Sequence, residues 1–215
     1  MALKRALILD MDGVIIDSNP VHRQAWALYC QRYGIETDPT MDQRMYGRRN
    51  DEIVRDFFGA HLTLDEARAH GEAKERLYRE TIGPVVNDAL VPGVREFLER
   101  HRNEPIGLAS NAGPANVEFV LDAARLRPYF RAVVDGHQVA NPKPYPDIYL
   151  RVADLVGVDP AGCVVFEDSE TGIQAAKAAG MQVVGLKTTH AELPGVDLAI
   201  DDFRSPELEP WLATR

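Results

Sequence analysis

The stretch "LILDMDGVIIDSNP" (residues 7–20) begins as an unbroken apolar run and turns acidic at Asp10 and Asp12, with Asp17 close behind. Apolar residues on successive positions suit a strand covered on both faces, as in a parallel sheet. Two carboxylates where such a strand ends repel one another, and burial strengthens the repulsion. A chain that places them there needs a compensating cation. On a strand, residues two apart point to one side, so Asp10 and Asp12 can face the same ligand if the strand runs that far.

Similar short apolar runs recur downstream. After "ALILD" (6–10) come "IGLAS" (106–110), "AVVD" (132–135), "CVVFED" (163–168), "VVGL" (183–186) and "LAID" (198–201). Helical patterns separate most of them. "VPGVREFLERH" has Pro92 near its first turn and a basic end. "GPANVEFVLDAARL" and "DIYLRVADLVG" carry apolar residues three and four apart. "SETGIQAAKAAG" starts with capping residues and stops at Gly180. Strand and helix in alternation predict an α/β fold, a doubly wound Rossmann-like parallel sheet core.

From about Asn19 to Asn87 that rhythm breaks. "PVHRQAWALYCQRYG", "MDQRMYGRRNDEIVRDFFG" and "TLDEARAHGEAKERLYRETIG" read as three or more helices, punctuated by Gly34, Gly59 and Gly83. The expected organisation is a catalytic core made of residues 1–17 and 88–215, with an inserted all-helical cap domain, residues 18–87. The hinges fall near Asp17–Pro20 and Asn87–Pro92.

With 215 residues and 45% hydrophobic content, the chain can bury one sizeable core and a smaller second unit. A formal net charge of -9 argues against nucleic acid or an anionic membrane as partner. It leaves room for a small anionic substrate, because a bound cation reverses the local field. Cys30 and Cys163 belong to no CxxC pair, so zinc and redox chemistry have no support, and a reducing compartment fits. The basic-then-apolar start "MALKRALILDMDG" is too short for a signal peptide, and no run reaches the length of a membrane span. The expectation is a cytoplasmic protein whose oligomeric state is open, a monomer being compatible. The tail "LEPWLATR" reads equally as packing on the core or meeting a partner.

In open α/β sheets, ligands bind beyond the carboxyl ends of the strands. There the first run ends in Asp10 and Asp12, the second in Ser110 and Asn111, and the fourth in Glu167 and Asp168. Lys143 lies in the proline-stiffened loop "NPKPYPD" after the third. In a parallel sheet these residues meet at one edge. Taken singly, each has an ordinary reading: an acid after a strand is a turn or helix cap, and a lysine is a solvated surface residue. Taken together they put four acids beside hydroxyl, amide and ammonium donors. Oxygen-only ligands favour a hard ion, and Mg²⁺ binds through one or two carboxylates plus substrate phosphate. The chemistry that results is Mg²⁺-dependent phosphoryl transfer on a small phosphorylated metabolite.

Four spaced motifs, "DMDGV" (10–14), "LASN" (108–111), "KPYPDIY" (143–149) and "VFEDSETGIQAA" (165–176), resemble those of the haloacid dehalogenase superfamily. The helical insert after the first motif resembles the cap of its β-phosphoglucomutase-like subgroup. The resemblance implies Asp10 as nucleophile, forming an aspartyl-phosphate, and Asp12 as general acid and then base. It implies metal ligation by Asp10, the Asp12 carbonyl, Asp168 and Glu167. It also implies that Ser110 and Lys143 hold the phosphoryl group, with Asn111 helping through its backbone N–H. Family dehalogenases and phosphonatases lack the second acid, so Asp12 points to ester phosphoryl transfer.

The subgroup's mutase pattern has a cap His and Trp four residues apart and a cap Lys, matched here by His22, Trp26 and Lys74. Those favour a phosphosugar, although His22 and Trp26 also sit at the spacing of one helix face. The mutase's distal-phosphate positions read Asn50, Ala112 and Pro114 here, with Arg48 and Arg49 adjacent to the first. Lost charge-assisted contacts weaken such a site. The expectation is therefore hydrolysis of a sugar phosphate, with β-phosphoglucomutase as the alternative. Two further rivals are a receiver-like signalling domain, which lacks a helical insert, and a binding module on a decayed enzyme, which intact motifs disfavour.

Overall fold

The structure, a computed structural model, describes residues 5–38, 40–41, 44 and 48–215. Six strands form one parallel sheet in the order β3-β2-β1-β4-β5-β6. They are β1 (Ala6–Leu9), β2 (Ile106–Ser110), β3 (Ala132–Asp135), β4 (Cys163–Glu167), β5 (Gln182–Leu186) and β6 (Leu198–Ile200). The first strand lies at the centre, Leu7 pairing with Ile106 on one side and Val164 on the other. The order reverses there, which opens a crevice at the carboxyl ends of β1, β2 and β4.

Alternation of side chains along each strand divides the core into two layers. Leu7, Leu9, Phe166 and Val184 point to a face covered by α4 (Val94–Arg100), α5 (Pro114–Ala123) and α8 (Leu208–Leu212). Ala6, Ile8, Val165 and Val183 point to the other, under α6 (Asp147–Val156) and α7 (Glu170–Ala178). Both layers are apolar because the sheet is covered on both sides, which is why the runs read as continuous. The tail folds onto this core, with Leu208 and Leu212 buried.

Two details of the sequence reading change. The first strand stops at Leu9, and Asp10 and Asp12 lie in the following turn, where the amides of Ile15 and Ile16 donate to the Met11 carbonyl. Their convergence therefore comes from this turn and not from the pleat. Pro92 lies outside α4, whose N-cap is Gly93 at φ 82°.

Between β1 and β2 run α1 (Asn19–Arg32), α2 (Asn50–Phe58) and α3 (Leu64–Ile82). α3 opens with a capping box, the Thr63 hydroxyl accepting from the Glu66 amide while the Glu66 carboxylate accepts from the Thr63 amide. Trp26, Tyr29, Cys30, Ile53, Val54 and Ala67 form a separate apolar core for this insert, whereas Ala25, Tyr78 and Ile82 join the main one. The stretch between Gly34 and Asn50 falls partly outside the described residues. The two crossings between insert and core run side by side: Asp17 donates to the Ala89 carbonyl and Val91 to that of Ile15.

Candidate active site

The strand-end residues do meet. Lys143, carried by the loop between β3 and α6, reaches back across the sheet edge. Its Nζ donates to Asp10 Oδ1 at 2.7 Å, to Glu167 Oε1 at 2.6 Å and to the Ala109 carbonyl at 3.0 Å. All three side chains are buried. Oxygen atoms of Asp10, Glu167 and Asp168 lie within 4.8 Å of one another.

One lysine does not neutralise three carboxylates. Burial pushes the Asp10 carboxyl up to about 7, aided by Glu167 and Asp12 and opposed by Lys143. Burial, Glu167 and Asp10 drive Asp168 well above the usual carboxylate range. Glu167 goes the other way: burial would raise it, but Lys143 and the hydrogen bonds it accepts hold it below its ordinary value. Those bonds come from Tyr149 Oη at 2.7 Å, from the Asp168 and Ser169 amides, and from Ser169 Oγ. Glu167 is thus saturated, while Asp10 and Asp168 carry unbalanced charge. A hard divalent cation such as Mg²⁺ fits this donor set, with Asp10 and Asp168 best placed to hold it and Glu167 adjoining.

Close packing around the acids uses two glycines. Gly13 adopts φ 77°, and a Cβ there would lie 1.9 Å from Asp168 Oδ2. At Gly172, on the first turn of α7, a Cβ would fall 1.7 Å from Glu167 Oε1. Thr188 and Thr189, just past β5, complete the support. Thr188 Oγ1 donates to the Gly13 carbonyl at 2.6 Å, and Thr189 Oγ1 donates to Asp168 Oδ2. Asn19, at the start of α1, donates in turn to Thr189 Oγ1 at 2.6 Å.

Ser110 is buried at the end of β2, its Oγ accepting from the Ala112 amide at 3.1 Å. Asn111 holds the lysine loop, Oδ1 accepting from the Lys143 amide at 3.2 Å. Both line a cavity of about 460 Å³ between core and insert, together with Asp10, Asp12, Lys143 and Asp168.

The insert closes that cavity with a polar chain. Asp12 Oδ1 accepts from Ser18 Oγ and lies 3.5 Å from His22 Nε2. His22 Nδ1 is 2.7 Å from Lys74 Nζ. A lysine ammonium only donates, so Nδ1 accepts and the ring proton sits on Nε2, facing Asp12. Tyr78 stacks on the His22 ring at 3.9 Å between centroids. Lys74 is buried 5.0 Å from the Trp26 ring and pairs with Glu75 at 2.9 Å. Trp26 packs in the insert's core against Phe57 and also lines the cavity. Arg49 lines the cavity too, but pairs with Asp51 at 3.6 Å.

Several residues here escape a reading of the motifs. Glu75 Oε1 accepts from Asn50 Nδ2 at 2.6 Å, and Oε2 accepts from Asn116 Nδ2, whose own carbonyl accepts from Arg79. Insert and core are therefore tied beside the cavity. Tyr149 stood inside a quoted motif without an assigned part. Thr188 and Thr189 follow a strand end, the same signal that marked Asp10 and Ser110.

Comparison with known proteins agrees with this geometry. Residues 4–180 match a family model described as haloacid dehalogenase-like hydrolase. The chain is 36% identical to the fructose-1-phosphate phosphatase YqaB of Escherichia coli over 183 residues, 84% of this chain and 95% of that protein. It is 33% identical to the beta-phosphoglucomutase of Bacillus subtilis over 210 residues, 95% of this chain and 92% of that one. Among solved structures, a beta-phosphoglucomutase from Clostridium difficile superposes with a TM-score of 0.85 at 26% identity, covering 98% of this chain and 96% of its own.

Proposed function

Because the chain belongs to the haloacid dehalogenase-like hydrolases, we propose that it is a Mg²⁺-dependent phosphatase acting on a small phosphomonoester of the sugar-phosphate class. The observation that carries this reading is Asp10, bonded to Lys143 with Asp168 and Glu167 alongside, facing the same cavity as Asp12. In the first step an Asp10 carboxylate oxygen attacks phosphorus and the bond to the ester oxygen breaks. Asp12 gives its proton to that leaving oxygen. In the second step Asp12 takes a proton from water, the water oxygen attacks phosphorus, and the bond to Asp10 breaks to release phosphate.

Lys143 holds Asp10 in place and, with Ser110, supplies donors for the transferring oxygens. Asn111 fixes the lysine loop through its side chain. Glu167, saturated with donors, sets the position of Lys143 while adjoining the cation. Asp10, the Asp12 carbonyl and Asp168 would hold a Mg²⁺ ion, which when bound would supply charge compensation between the carboxylates and the phosphoryl group. Residues 18–87 act as the cap, turning on the crossings at Asp17–Pro20 and Asn87–Pro92 to exclude bulk water.

The test is phosphate release from a panel of sugar phosphates in Mg²⁺, with Asp10→Asn as control. Equal turnover by both proteins ends the assignment. A second reading, phosphoglucomutase, is favoured by the Asp12–His22–Lys74 chain, in which His22 lies beside Asp12, the general acid of this proposal, and Lys74 beside His22. β-Glucose 1-phosphate with a bisphosphate primer separates the two, giving free phosphate in one case and glucose 6-phosphate in the other.

A further inference from the structure

We propose that Thr189 is a positioning residue for Asp168 as a ligand of the divalent cation, and that Asn19 extends this support into the insert, so that the cation site and the start of α1 stabilise one another. This rests on the cation reading of the acidic cluster and adds to it two residues outside the four sequence motifs. The chain of contacts is short. Asn19 Nδ2 lies 2.6 Å from Thr189 Oγ1, and Thr189 Oγ1 touches Asp168 Oδ2. Asp168 is buried and is one of the three acids whose oxygens converge. Lys143 serves the other two, Asp10 and Glu167, and pairs with neither oxygen of Asp168. Asn19 and Thr189 are half-buried, and both line the cavity.

The direction of each bond follows from the donors available. An ionised carboxylate only accepts, so Thr189 spends its single hydroxyl proton on Asp168. With none left, Thr189 Oγ1 accepts from Asn19, and only the NH₂ end of that amide can donate. A free threonine hydroxyl rotates to suit its surroundings. Here the amide occupies a lone pair and leaves the hydroxyl proton one course, towards Asp168. Oδ2 of Asp168 is thereby engaged, while Oδ1 takes no hydrogen bond among the described residues. One oxygen is held and the other stays open to a cation. A donor that holds a ligating carboxylate in this way sets its orientation, and losing such a partner costs about 10- to 100-fold in metal affinity.

The support is mounted on the core at one end and on the insert at the other. Thr188 and Thr189 follow β5, and the Lys187 amide just before them donates to the Ile200 carbonyl at 3.0 Å. Thr188 Oγ1 donates to the Gly13 carbonyl, so the same loop grips the turn that carries Asp10 and Asp12. Asn19, by contrast, is the first residue of α1, beside the crossing from core to insert. Polar residues at a helix start ordinarily cap it. Ser18 makes no side-chain cap and donates to Asp12 at 2.5 Å, while Asn19 donates to Thr189. Both side chains are thus spent on the site rather than on the helix. A cation that fixes Asp168 fixes Thr189 and, through it, Asn19. By linkage, a seated Asn19 tightens the cation site by the same factor.

The experiment titrates Mg²⁺ calorimetrically into the full chain without substrate. Thr189→Val keeps the shape of the side chain and removes its proton, and is expected to weaken Mg²⁺ binding about tenfold or more. Thr189→Ser, which keeps the hydroxyl, is expected to stay near the parent. Asn19→Ala is expected to weaken binding by a smaller factor and to add nothing in the Thr189→Val background, because its effect runs through that hydroxyl. Hydrogen exchange at the His22 amide, which bonds the Ser18 carbonyl in the first turn of α1, reads the link to the insert. Mg²⁺ should slow it in the parent and not in Asn19→Ala. Melting in chelator establishes that each variant is folded, and should Thr189→Val fail to fold, an Asn19→Ala affinity equal to the parent's overturns the inference by itself. Equal Mg²⁺ affinity in Thr189→Val and the parent overturns it too, as do effects of the two residues that simply multiply, or slowing at His22 that survives Asn19→Ala. A parent chain that binds no Mg²⁺ ends this inference and the cation reading together. One that binds Mg²⁺ yet releases no phosphate from sugar phosphates ends the phosphatase reading alone, and the affinity ratios still decide this one.

Discussion

Replacing Lys143 by methionine tests the electrostatic design of the site most directly. The substitution keeps an unbranched chain of similar length and removes one ammonium. That ammonium donates to Asp10, Glu167 and the Ala109 carbonyl, all away from solvent. Glu167 retains Tyr149 and the donors of Asp168 and Ser169, so its geometry survives. Asp10 loses its cation. Breaking a buried pair by removing one partner costs about 3–5 kcal/mol, a large share of a domain's usual ~5–15 kcal/mol.

The sign of the pH dependence separates charge from packing. Lys143 lowers the carboxyls of both Asp10 and Glu167, so its loss raises both. A carboxyl raised in the folded state binds more protons there than in the unfolded chain. Stability then falls as pH climbs from about 4 through the raised value, by about 1.4 kcal/mol for each unit of difference. The deficit of Lys143→Met is therefore expected to be larger at pH 8 than at pH 5. Urea unfolding at the two pH values, with chelator present to remove divalent ions, measures it. Adding Glu167→Gln removes one of the stranded charges and is expected to recover part of the loss at pH 8. A variant as stable as the parent at pH 8, or a deficit equal at both pH values, refutes this account.

Three further outcomes are expected. Gly13→Ala is strained by about 1–3 kcal/mol at φ 77° and drives a methyl into Asp168; Mg²⁺ affinity and turnover should collapse while the melting temperature drops by only several degrees, and normal Mg²⁺ binding would contradict it. Mg²⁺ at a hundred times its dissociation constant should stabilise the chain by about 2.7 kcal/mol. Because Asp10 is pushed up to about 7, protons compete with the ion below that pH, so the Mg²⁺-induced rise in melting temperature should be greater at pH 8 than at pH 5.5, and equal rises would count against it. Asn116→Ala strips one partner each from Glu75 and Arg79 and should cost about 1–3 kcal/mol in urea unfolding; a change within about 0.5 kcal/mol would mean water replaces the amide without loss.

What could be read from the sequence, and what could not, follows from how each residue reaches the site. Asp10, Ser110, Glu167 and Asp168 stand at or just past the ends of apolar runs, so knowing the sheet is parallel is enough to gather them. Lys143 was legible for the same reason, with proline on either side marking its loop. His22 and Lys74 were legible only through the family pattern, since their contact joins residues 52 positions apart on two helices. Glu75, Arg79 and Asn116 had no such signal. Each looks like an ordinary polar residue of an amphipathic helix, and only the docking of α3 on α5 turns them into one cluster. The contacts that tie insert to core beside the cavity are therefore the parts that a linear reading misses, while the strand-end cluster sits where the backbone topology puts it.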